Sequence, residues 1–293
     1  MLPTTVPRSP DRTGQDAPAA TSLPPVTTVG IMSAGAMGSA VGAAYLAGGA
    51  RVVTTVAGRS PRTARLAQQA GLELLDDVAA VVAASDLVLS VVPPGQARPT
   101  AQALTGARLL VEANAVSPGT VQEIASYGPE VVDASISGGP PGPDDPSPTR
   151  LYLSGPRAQE VADVPAPWLD VRVLGPELGT ASAVKMCTAS YYKGRAALAA
   201  QALLTARAHG VTDVVLDDLG ELLPGPRSIA LSANKAWRFV DEMREIAATQ
   251  GAAGLPPELF EGVAAAYAAL SWPGSPEDVP VDVDWDGVLD GLG

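Results

Sequence analysis

Short runs of β-branched residues alternate with alanine-rich stretches from Val26 onward, and this alternation restricts the fold more than any other feature. It is typical of a parallel sheet whose strands are joined by helices lying on its faces. Ser60-Pro61 and Ser117-Pro118 each place an N-cap hydroxyl before a proline at the first helical position, which predicts two helix starts. Strands are predicted over 27–32, 51–56, 72–75, 87–92, 108–112, 130–133, 151–154 and 171–174. We therefore expect an α/β fold, with a doubly wound parallel sheet whose strand ends meet at one crevice.

The alternation stops near residue 174, and the rest of the sequence has the pattern of helices alone. A long helix predicted over 179–209 is alanine-rich on nearly every face, so we expect it to be buried in a bundle or between two subunits. Further helices are predicted over 228–249 and 257–270, and the acidic residues after 271 are expected to form a solvated tail. These patterns predict an all-α C-terminal domain and a homodimer formed through the 179–209 helix.

The domain boundaries follow from these patterns. Residues 1–25 are rich in proline and threonine without the apolar core of a signal peptide, so they are expected to be a disordered leader. The sheet domain is predicted over 26–174, and the helical substrate and dimerisation domain over 175–293. The segment 137–150 is dense in glycine, proline and aspartate. It is predicted to be a loop, either a mobile lid over the crevice or a solvated connection.

Charge and cysteine content limit the classes of partner. The net charge of −12 repels phosphate backbones and anionic lipids, and no run of lysine and arginine offsets it. The single cysteine, Cys187, cannot form an intramolecular disulfide, which favours a reducing compartment. The apolar stretches are interrupted well before the roughly 20 residues that a membrane-spanning helix needs. We expect a cytoplasmic protein that binds neither nucleic acid nor membrane and holds no metal.

The turn after the first predicted strand carries a dinucleotide-binding pattern. Residues 33–38 read SAGAMG, a G-x-G-x-x-G fingerprint with serine at the first glycine position. In this pattern Gly35 lets the backbone approach a pyrophosphate, and Gly38 lets the following helix pack closely on the strand. The sheet domain is therefore predicted to be of the Rossmann type. The candidate cofactor-binding residues in the turn are Ser33, Ala34, Gly35, Ala36 and Met37.

The end of the second predicted strand distinguishes the two nicotinamide dinucleotides. Folds that bind NAD carry an acidic residue there, about 20 residues after the glycine turn, to bind the ribose 2′-hydroxyl. This chain instead has Arg59 and Ser60, with Arg62 close behind, and these side chains suit a 2′-phosphate. NADP(H) is favoured over NAD(H). The alternative is that Arg59 is a solvated loop residue.

Six segments in the correct order resemble one enzyme superfamily. They are VGIMSAGAMG (29–38), GRS (58–60), VVPP (91–94), EANAVSP (112–118), DASISGG (133–139) and GTASAVK (179–185). The chain is similar to the superfamily of 6-phosphogluconate and β-hydroxyacid dehydrogenases, to which imine reductases are also related. The segment KMCTASYYKG (185–194) looks like the branch of that superfamily that carries an uncharacterised C-terminal domain.

The resemblance implies a cofactor half and a substrate half of the site. Residues expected along the cofactor are Val92, Pro93 and Asn114. Residues expected to cradle the substrate are Ser137, Gly138 and Gly139. Lys185 is implied to transfer the proton. Better-known relatives carry an asparagine within one turn of that lysine, where this chain has Thr188 and Ala189, so recognition of a simple β-hydroxyacid through an asparagine amide is not expected.

The chemistry of hydride transfer also indicates Lys185. A carbonyl or imine that receives hydride needs an acid to donate a proton, and burial lowers the pKa of a lysine toward the working pH. On a helix, Thr188, Tyr192 and Lys193 can line the same face as Lys185 and bind substrate. Lys193 could hold an anionic group or could be solvated. Tyr191 or Tyr192 could orient the substrate or donate the proton, or could only pack at the surface.

Two other reactive side chains are assigned structural roles. His209 is predicted to interact with the last carbonyls of the long helix. Cys187 is predicted to be a small core side chain because its neighbours are apolar.

The sequence thus predicts an NADP(H)-dependent oxidoreductase that transfers hydride between the nicotinamide and a small polar substrate of the hydroxyacid or ketone type. An imine reductase is the enzymatic alternative. A non-catalytic NADPH-binding regulatory protein is the alternative from a different class.

Overall fold

The computed structural model describes residues 27–145 and 148–292, so the predicted leader over 1–25 lies outside the described residues. All eight predicted strands are present. They are β1 (Thr28–Met32), β2 (Arg51–Thr55), β3 (Glu73–Leu75), β4 (Leu87–Ser90), β5 (Leu110–Glu112), β6 (Val131–Ser137), β7 (Thr149–Ser154) and β8 (Leu169–Val173). They form one sheet in the order β3-β2-β1-β4-β5-β6-β7-β8. The predicted α/β fold class is confirmed.

One strand pair departs from the expected parallel arrangement. β1 to β6 run parallel to one another, whereas β7 runs antiparallel to β6, and β8 is again parallel to β7. The reversal arises because β6 and β7 are joined by a loop at one end of the sheet, where a parallel pair would need a long crossover. This loop is the glycine- and proline-rich segment, with β6 ending at Ser137 and β7 beginning at Thr149.

The helices begin where local signals predict them. Ser60 and Ser117 cap two helices by accepting hydrogen bonds from the backbone N–H groups of Thr63 and Thr120. The α-helices of the described residues are α1 (Ala36–Ala47), α2 (Pro61–Gln69), α3 (Val78–Ala84), α4 (Ala97–Ala103), α5 (Pro118–Ala125), α6 (Ala158–Ala162), α7 (Thr180–Ala208), α8 (Thr212–Leu219), α9 (Pro226–Asn234), α10 (Ala236–Ala252), α11 (Glu258–Ala268) and α12 (Trp285–Gly291). Short 3-10 helices cover Pro94–Gln96, Gly220–Leu222 and Pro276–Asp278.

The core consists of three apolar clusters. One face of the sheet packs against α1, α2 and α6, and buries Tyr45 among aliphatic strand residues. The other face packs against α4 and α5, with Ile124 fully buried. The third cluster lies among the C-terminal helices, where α7, α9, α10 and α11 bury Met243 and Tyr267. The sheet is therefore covered on both faces, as expected for a doubly wound arrangement.

α7 is attached to the sheet at its first turn. Gly179, which precedes the helix, has φ +100°, and a Cβ at this position would lie 3.0 Å from the Cβ of Pro118, so glycine is required there. Ser182 in the first turn donates two hydrogen bonds to Asp133 of β6. The long helix therefore has a fixed position relative to β6.

A second attachment fixes α10 against the sheet domain. Glu245 accepts hydrogen bonds from the backbone N–H of Ser117 at 2.8 Å and from the hydroxyl of Thr120 at 2.6 Å. Arg98 of α4 forms an ion pair with the same carboxylate at 3.1 Å. α7 and α10 thus lie over the same edge of the sheet, at the C-terminal ends of its parallel strands.

The structure corrects three expectations about the C-terminal part. The helix predicted over 228–249 is two helices, α9 and α10, separated at Lys235. The acidic tail is not simply solvated, because α12 buries Val288 and Leu289 in the helical core and is capped by Asp284. Cys187 is exposed rather than part of the core, because its phase on α7 directs it away from the buried face.

α7 is also less buried than its composition suggests. It spans 29 residues, Thr180–Ala208, within the predicted range of 179–209, and the predicted capping residue His209 is its C-cap residue. Tyr191, Tyr192 and Leu198 nevertheless stand 64%, 66% and 66% exposed, so one face of the helix is uncovered in the single chain. None of the helices within 27–145 and 148–292 is long and apolar enough to cross a membrane.

Candidate functional site

The β1–α1 turn has the geometry that an approaching pyrophosphate needs. A Cβ added to Gly35 would meet no atom within 4 Å, so the backbone ahead of α1 is open. A Cβ added to Gly38 would come within 2.2 Å of the carbonyl oxygen of Ser33, so only glycine fits there. Ser33 has φ +69°, the left-handed conformation that glycine adopts most readily, and is alone among the described non-glycine residues in having a positive φ. The turn therefore retains its shape although serine replaces the first glycine.

Arg59 lies against this turn. Its Nη2 donates a hydrogen bond to the hydroxyl of Ser33 at 2.7 Å, which links the end of β2 to the turn after β1. Arg62 forms an ion pair with Glu277 at 2.5 Å, and Ser60 serves as the N-cap of α2. The structure thus brings Ser33 and Arg59 together. Arg62 instead contacts the C-terminal region, and Ser60 caps α2.

Asn114 ties two strand ends together at the same edge of the sheet. Its Oδ1 accepts a hydrogen bond from the backbone N–H of Val92 at 2.5 Å, and its Nδ2 donates to the hydroxyl of Ser90 at 2.9 Å. Asn114 is buried, whereas Val92 and the adjacent Pro93 are partly exposed. Because β1, β4, β5 and β6 are neighbouring parallel strands, the residues that follow them lie along one edge. Ser33, Val92 and Asn114 follow such strand ends, and Ser137 is the last residue of β6.

A cleft of about 310 Å³ lies next to the end of β6. Its lining residues are Ser137, Gly138, Lys185, Thr188, Ala189, Tyr192 and Lys193. Five of the six predicted substrate-binding residues line it, together with the predicted catalytic lysine. Gly139 lies just beyond, with its carbonyl accepting a hydrogen bond from Thr149 at 2.6 Å. The hydroxyl of Thr188 bonds back to the carbonyls of Val184 and Lys185 at 2.9 and 3.2 Å.

Lys185 is held at the base of this cleft. Its Nζ donates a hydrogen bond to the carbonyl oxygen of Ile136 at 2.7 Å, one residue before Ser137. Burial lowers the pKa of Lys185, the Glu242 carboxylate opposes that change, and the Arg238 guanidinium adds to it. A lowered pKa makes an amine a better proton donor, which is a property required of a general acid.

Lys193 shares the cleft in a second buried environment. It forms an ion pair with Glu242, and its Nζ lies 4.0 Å from the centroid of the Phe239 ring. Burial lowers the pKa of Lys193 to about 8, and the nearby Lys185 charge contributes to that change. Lys193 is therefore a partly buried, paired group rather than a solvated lysine.

Sequence reasoning missed the residues of α10 that interact with the two cleft lysines. Arg238, Phe239 and Glu242 lie on one face of α10 and contact or influence the two lysines of α7. The available signal was Glu242 itself, an acid within the apolar series of Phe239, Met243 and Ile246 at helical spacing. No group of residues suited to a metal ion occurs within the described parts of the chain.

The chain was matched by two family models. One is described as "NADP oxidoreductase coenzyme F420-dependent" and matches residues 28–118, which contain the β1–α1 turn. The other is described as "Domain of unknown function (DUF1932)" and matches residues 206–270, which contain α10. The residues that line the cleft, from Ser137 to Lys193, lie between the two matched ranges in the sequence.

Relatives extend these matches over more of the chain. An uncharacterized 28.5 kDa protein of Methanothermus fervidus is 30% identical over 176 residues, which cover 58% of this chain and 67% of that protein. A solved structure of a conserved protein of unknown function, described as similar to 3-hydroxyacid dehydrogenases, is 28% identical with a TM-score of 0.58, covering 82% of this chain and 98% of that one. The 3-hydroxyisobutyrate dehydrogenase of Mycobacterium tuberculosis shares the fold at 20% identity and a TM-score of 0.61, covering 91% of this chain and 99% of that one.

Proposed function

The chain belongs to the β-hydroxyacid dehydrogenase superfamily of NAD(P)-dependent oxidoreductases, with a DUF1932 domain in its C-terminal part, and we propose that it is an NADP(H)-dependent enzyme of small polar substrates. The substrate is of the hydroxyacid or ketone type, and Lys185 is the general acid and base. The substrate lies in the cleft between Ser137, Gly138 and the Lys185 face of α7.

One observation carries this proposal. The amine of Lys185 is hydrogen-bonded to Ile136 at the end of β6, and the β1–α1 turn lies along the same edge of the sheet. Such an edge is where doubly wound folds bind their ligands, outside the carboxyl ends of the strands. The residues along this edge, from the turn to Lys185, would hold a dinucleotide with its nicotinamide end toward the cleft.

The open backbone at Gly35 and the N-terminus of α1 fit a pyrophosphate. When bound, the nicotinamide supplies or takes up the hydride. In the direction of reduction, the carbonyl carbon of the substrate receives the hydride, the carbonyl π pair moves to oxygen, and oxygen takes a proton from Nζ of Lys185. Lys185 then holds a neutral amine, which regains a proton from solvent. The reverse direction uses the same amine as a base.

The preference for NADP(H) rests on Arg59. Its guanidinium lies beside the turn at the end of β2, where the adenosine ribose of a bound dinucleotide would lie. The hydrogen bond to Ser33 keeps Arg59 extended toward that position, and the remaining donors of the guanidinium suit a 2′-phosphate.

The proposal is tested by binding and then by turnover. Purified protein is titrated with NADPH and with NADH by fluorescence or calorimetry, and hydroxyacids, ketones and imines are then screened for oxidation or reduction of the nucleotide. Lys185→Ala should lower the turnover rate by a factor of about 10² to 10⁴. Cys187→Ala, an exposed change on the same helix, serves as the control. Absence of binding by either nucleotide would overturn the proposal, and a small loss in Lys185→Ala would favour a preformed iminium substrate.

We also propose that the protein is a homodimer that associates through α7. Exposed apolar side chains line a groove of about 500 Å³ on this side of the molecule, including Tyr191, Leu198, Leu222 and Leu259. Contiguous exposed apolar surface of this kind is typical of subunit interfaces. A second copy of α7 supplies an apolar face of matching composition.

A further inference from the structure

Glu242 is a buried acid in a cluster of cations. It is 4% exposed and lies on α10, facing α7. One carboxylate oxygen pairs with Lys193, and the other, Oε1, is inaccessible to solvent and has no hydrogen-bond partner among the described residues. A buried acceptor without a partner costs free energy, so such an atom on a residue that pairs with the cleft residue Lys193 indicates an interaction that is made in another state.

The groups that face Glu242 come from three helices. α7 contributes Lys185 and Lys193, and α10 contributes Arg238 one turn before Glu242. α11 contributes Tyr267, whose hydroxyl donates to the carbonyl of Lys193 at 2.8 Å. Lys235 lies beyond Arg238 at the start of α10 and is lowered in pKa by burial and by that guanidinium. Glu242 is therefore the acidic member of a group that otherwise consists of cations and a phenol.

We propose that Glu242 is a positioning residue, the shared counter-ion of Lys185 and Lys193, and that its Oε1 accepts a hydrogen bond from Lys185 whenever Lys185 carries a proton. This inference rests on the proposed role of Lys185 in proton transfer. A role as a structural ion pair with Lys193 alone would leave Oε1 and Lys185 unconnected.

The proposal gives Lys185 two partners for its two protonation states. The charged amine is stabilised by Glu242, and the neutral amine keeps only the carbonyl of Ile136. Burial lowers the pKa of both lysines and the Glu242 carboxylate raises both, so this carboxylate favours the protonated form of each amine. No proton passes to Glu242. It changes the proton affinity of Lys185 without touching the substrate.

The test measures the ionisation of each lysine in the whole protein without substrate or nucleotide. Trace acetic anhydride reacts only with neutral amines, so the labelling rate of Lys185 and of Lys193 against pH, measured by mass spectrometry, gives the pKa of each. In Glu242→Gln, both lysines should label about tenfold faster at a pH below their pKa, because a pKa lower by one unit leaves about ten times more neutral amine. Glu242→Asp should restore much of the wild-type profile. Glu261→Gln, which removes an exposed acid on α11, should leave both profiles unchanged.

A change in Lys193 alone would overturn the proposal, because Glu242 would then serve only the ion pair. Lys193→Met provides a second test if Glu242→Gln does not fold. Removing that competing cation should slow the labelling of Lys185, because Glu242 can then pair with Lys185 alone and raise its pKa. An unchanged Lys185 profile would also overturn the proposal. Neither measurement depends on nucleotide binding or turnover. Failure of the proposed function would appear separately, in the NADPH titration.

Discussion

Ser182 donates two hydrogen bonds to the buried carboxylate of Asp133, one from its backbone N–H at 2.9 Å and one from its hydroxyl at 2.6 Å. Ser154 adds a third at 2.9 Å. Burial raises the pKa of Asp133, and these hydrogen bonds oppose the rise. The contact joins the first turn of α7 to β6. Since Lys185 lies about one turn further along α7, its position depends on two residues that do not line the cleft.

Removal of the Ser182 hydroxyl should therefore destabilise the protein. In Ser182→Ala the buried Asp133 carboxylate loses one hydrogen bond, so the free energy of unfolding should fall by about 1 to 3 kcal/mol. Urea denaturation followed by circular dichroism measures the change. Ser190→Ala is the matched control, because the Ser190 hydroxyl bonds only to the carbonyl of Cys187 on its own helix, at 2.7 Å. Equal small losses in both variants would contradict the assigned role of Ser182.

Glu112 should make the stability depend on pH. It is fully buried at the end of β5, and its Oε2 has no hydrogen-bond partner among the described residues. Burial raises the pKa of Glu112 from 4.5 to about 8. The folded state therefore binds a proton that the unfolded state releases, so this contribution to stability is present at acidic pH and is lost as pH rises through that window.

Glu112→Gln keeps the shape of the side chain and removes its charge. The variant should lose less stability than the wild type between about pH 5 and about pH 8, because glutamine has no proton to release. Urea midpoints of both proteins at several pH values measure the difference, and the comparison cancels the titration of other groups, including Lys193. Parallel curves for the two proteins would show that Glu112 does not titrate in this range.

The sheet and the cofactor turn could be predicted because their signals are local. The serine-proline pairs lie at the N-termini of α2 and α5, as their local signal predicts. The pattern of residues 33–38 likewise indicates a turn without reference to the rest of the chain. The direction of β7 could not be predicted, because a glycine-rich loop allows the chain to reverse without indicating which strand it will pair with. The sequence also predicted one helix over 228–249, although the helix is interrupted at Lys235.

The lining of the cleft could be predicted, but its neighbours on α10 could not. Lys185, Tyr192 and Lys193 share a helix, so helical spacing alone could place them on one face. Glu242 lies on another helix, and its pairing with Lys193 depends on how α7 and α10 pack. Cys187 was assigned to the core from its apolar neighbours, but burial on a helix depends on phase as well as on composition, and its phase exposes it.

Arg59 should determine the preference between nucleotides. Arg59→Ala removes a guanidinium from the position proposed for the 2′-phosphate, so NADPH affinity should fall about tenfold or more, as for loss of a charge-assisted hydrogen bond, while NADH affinity should change little. Calorimetric titration with both nucleotides measures this. Arg65→Ala, an exposed change on α2, is the control. An equal loss of affinity for both nucleotides would show that Arg59 stabilises the turn at Ser33 and does not bind the 2′-phosphate.

The apolar groove beside α7 predicts the effect of a charge on assembly. Leu198 stands 66% exposed on α7 and lines the groove with Leu222 and Leu259. A carboxylate buried there in a dimer would lack a partner, so Leu198→Glu should convert the dimer to a monomer without loss of secondary structure. Sedimentation velocity measures the mass of each species. Val281→Glu, at a position that is 84% exposed and outside the groove, should leave the dimer intact, and a wild-type protein that sediments as a monomer would contradict the proposed interface.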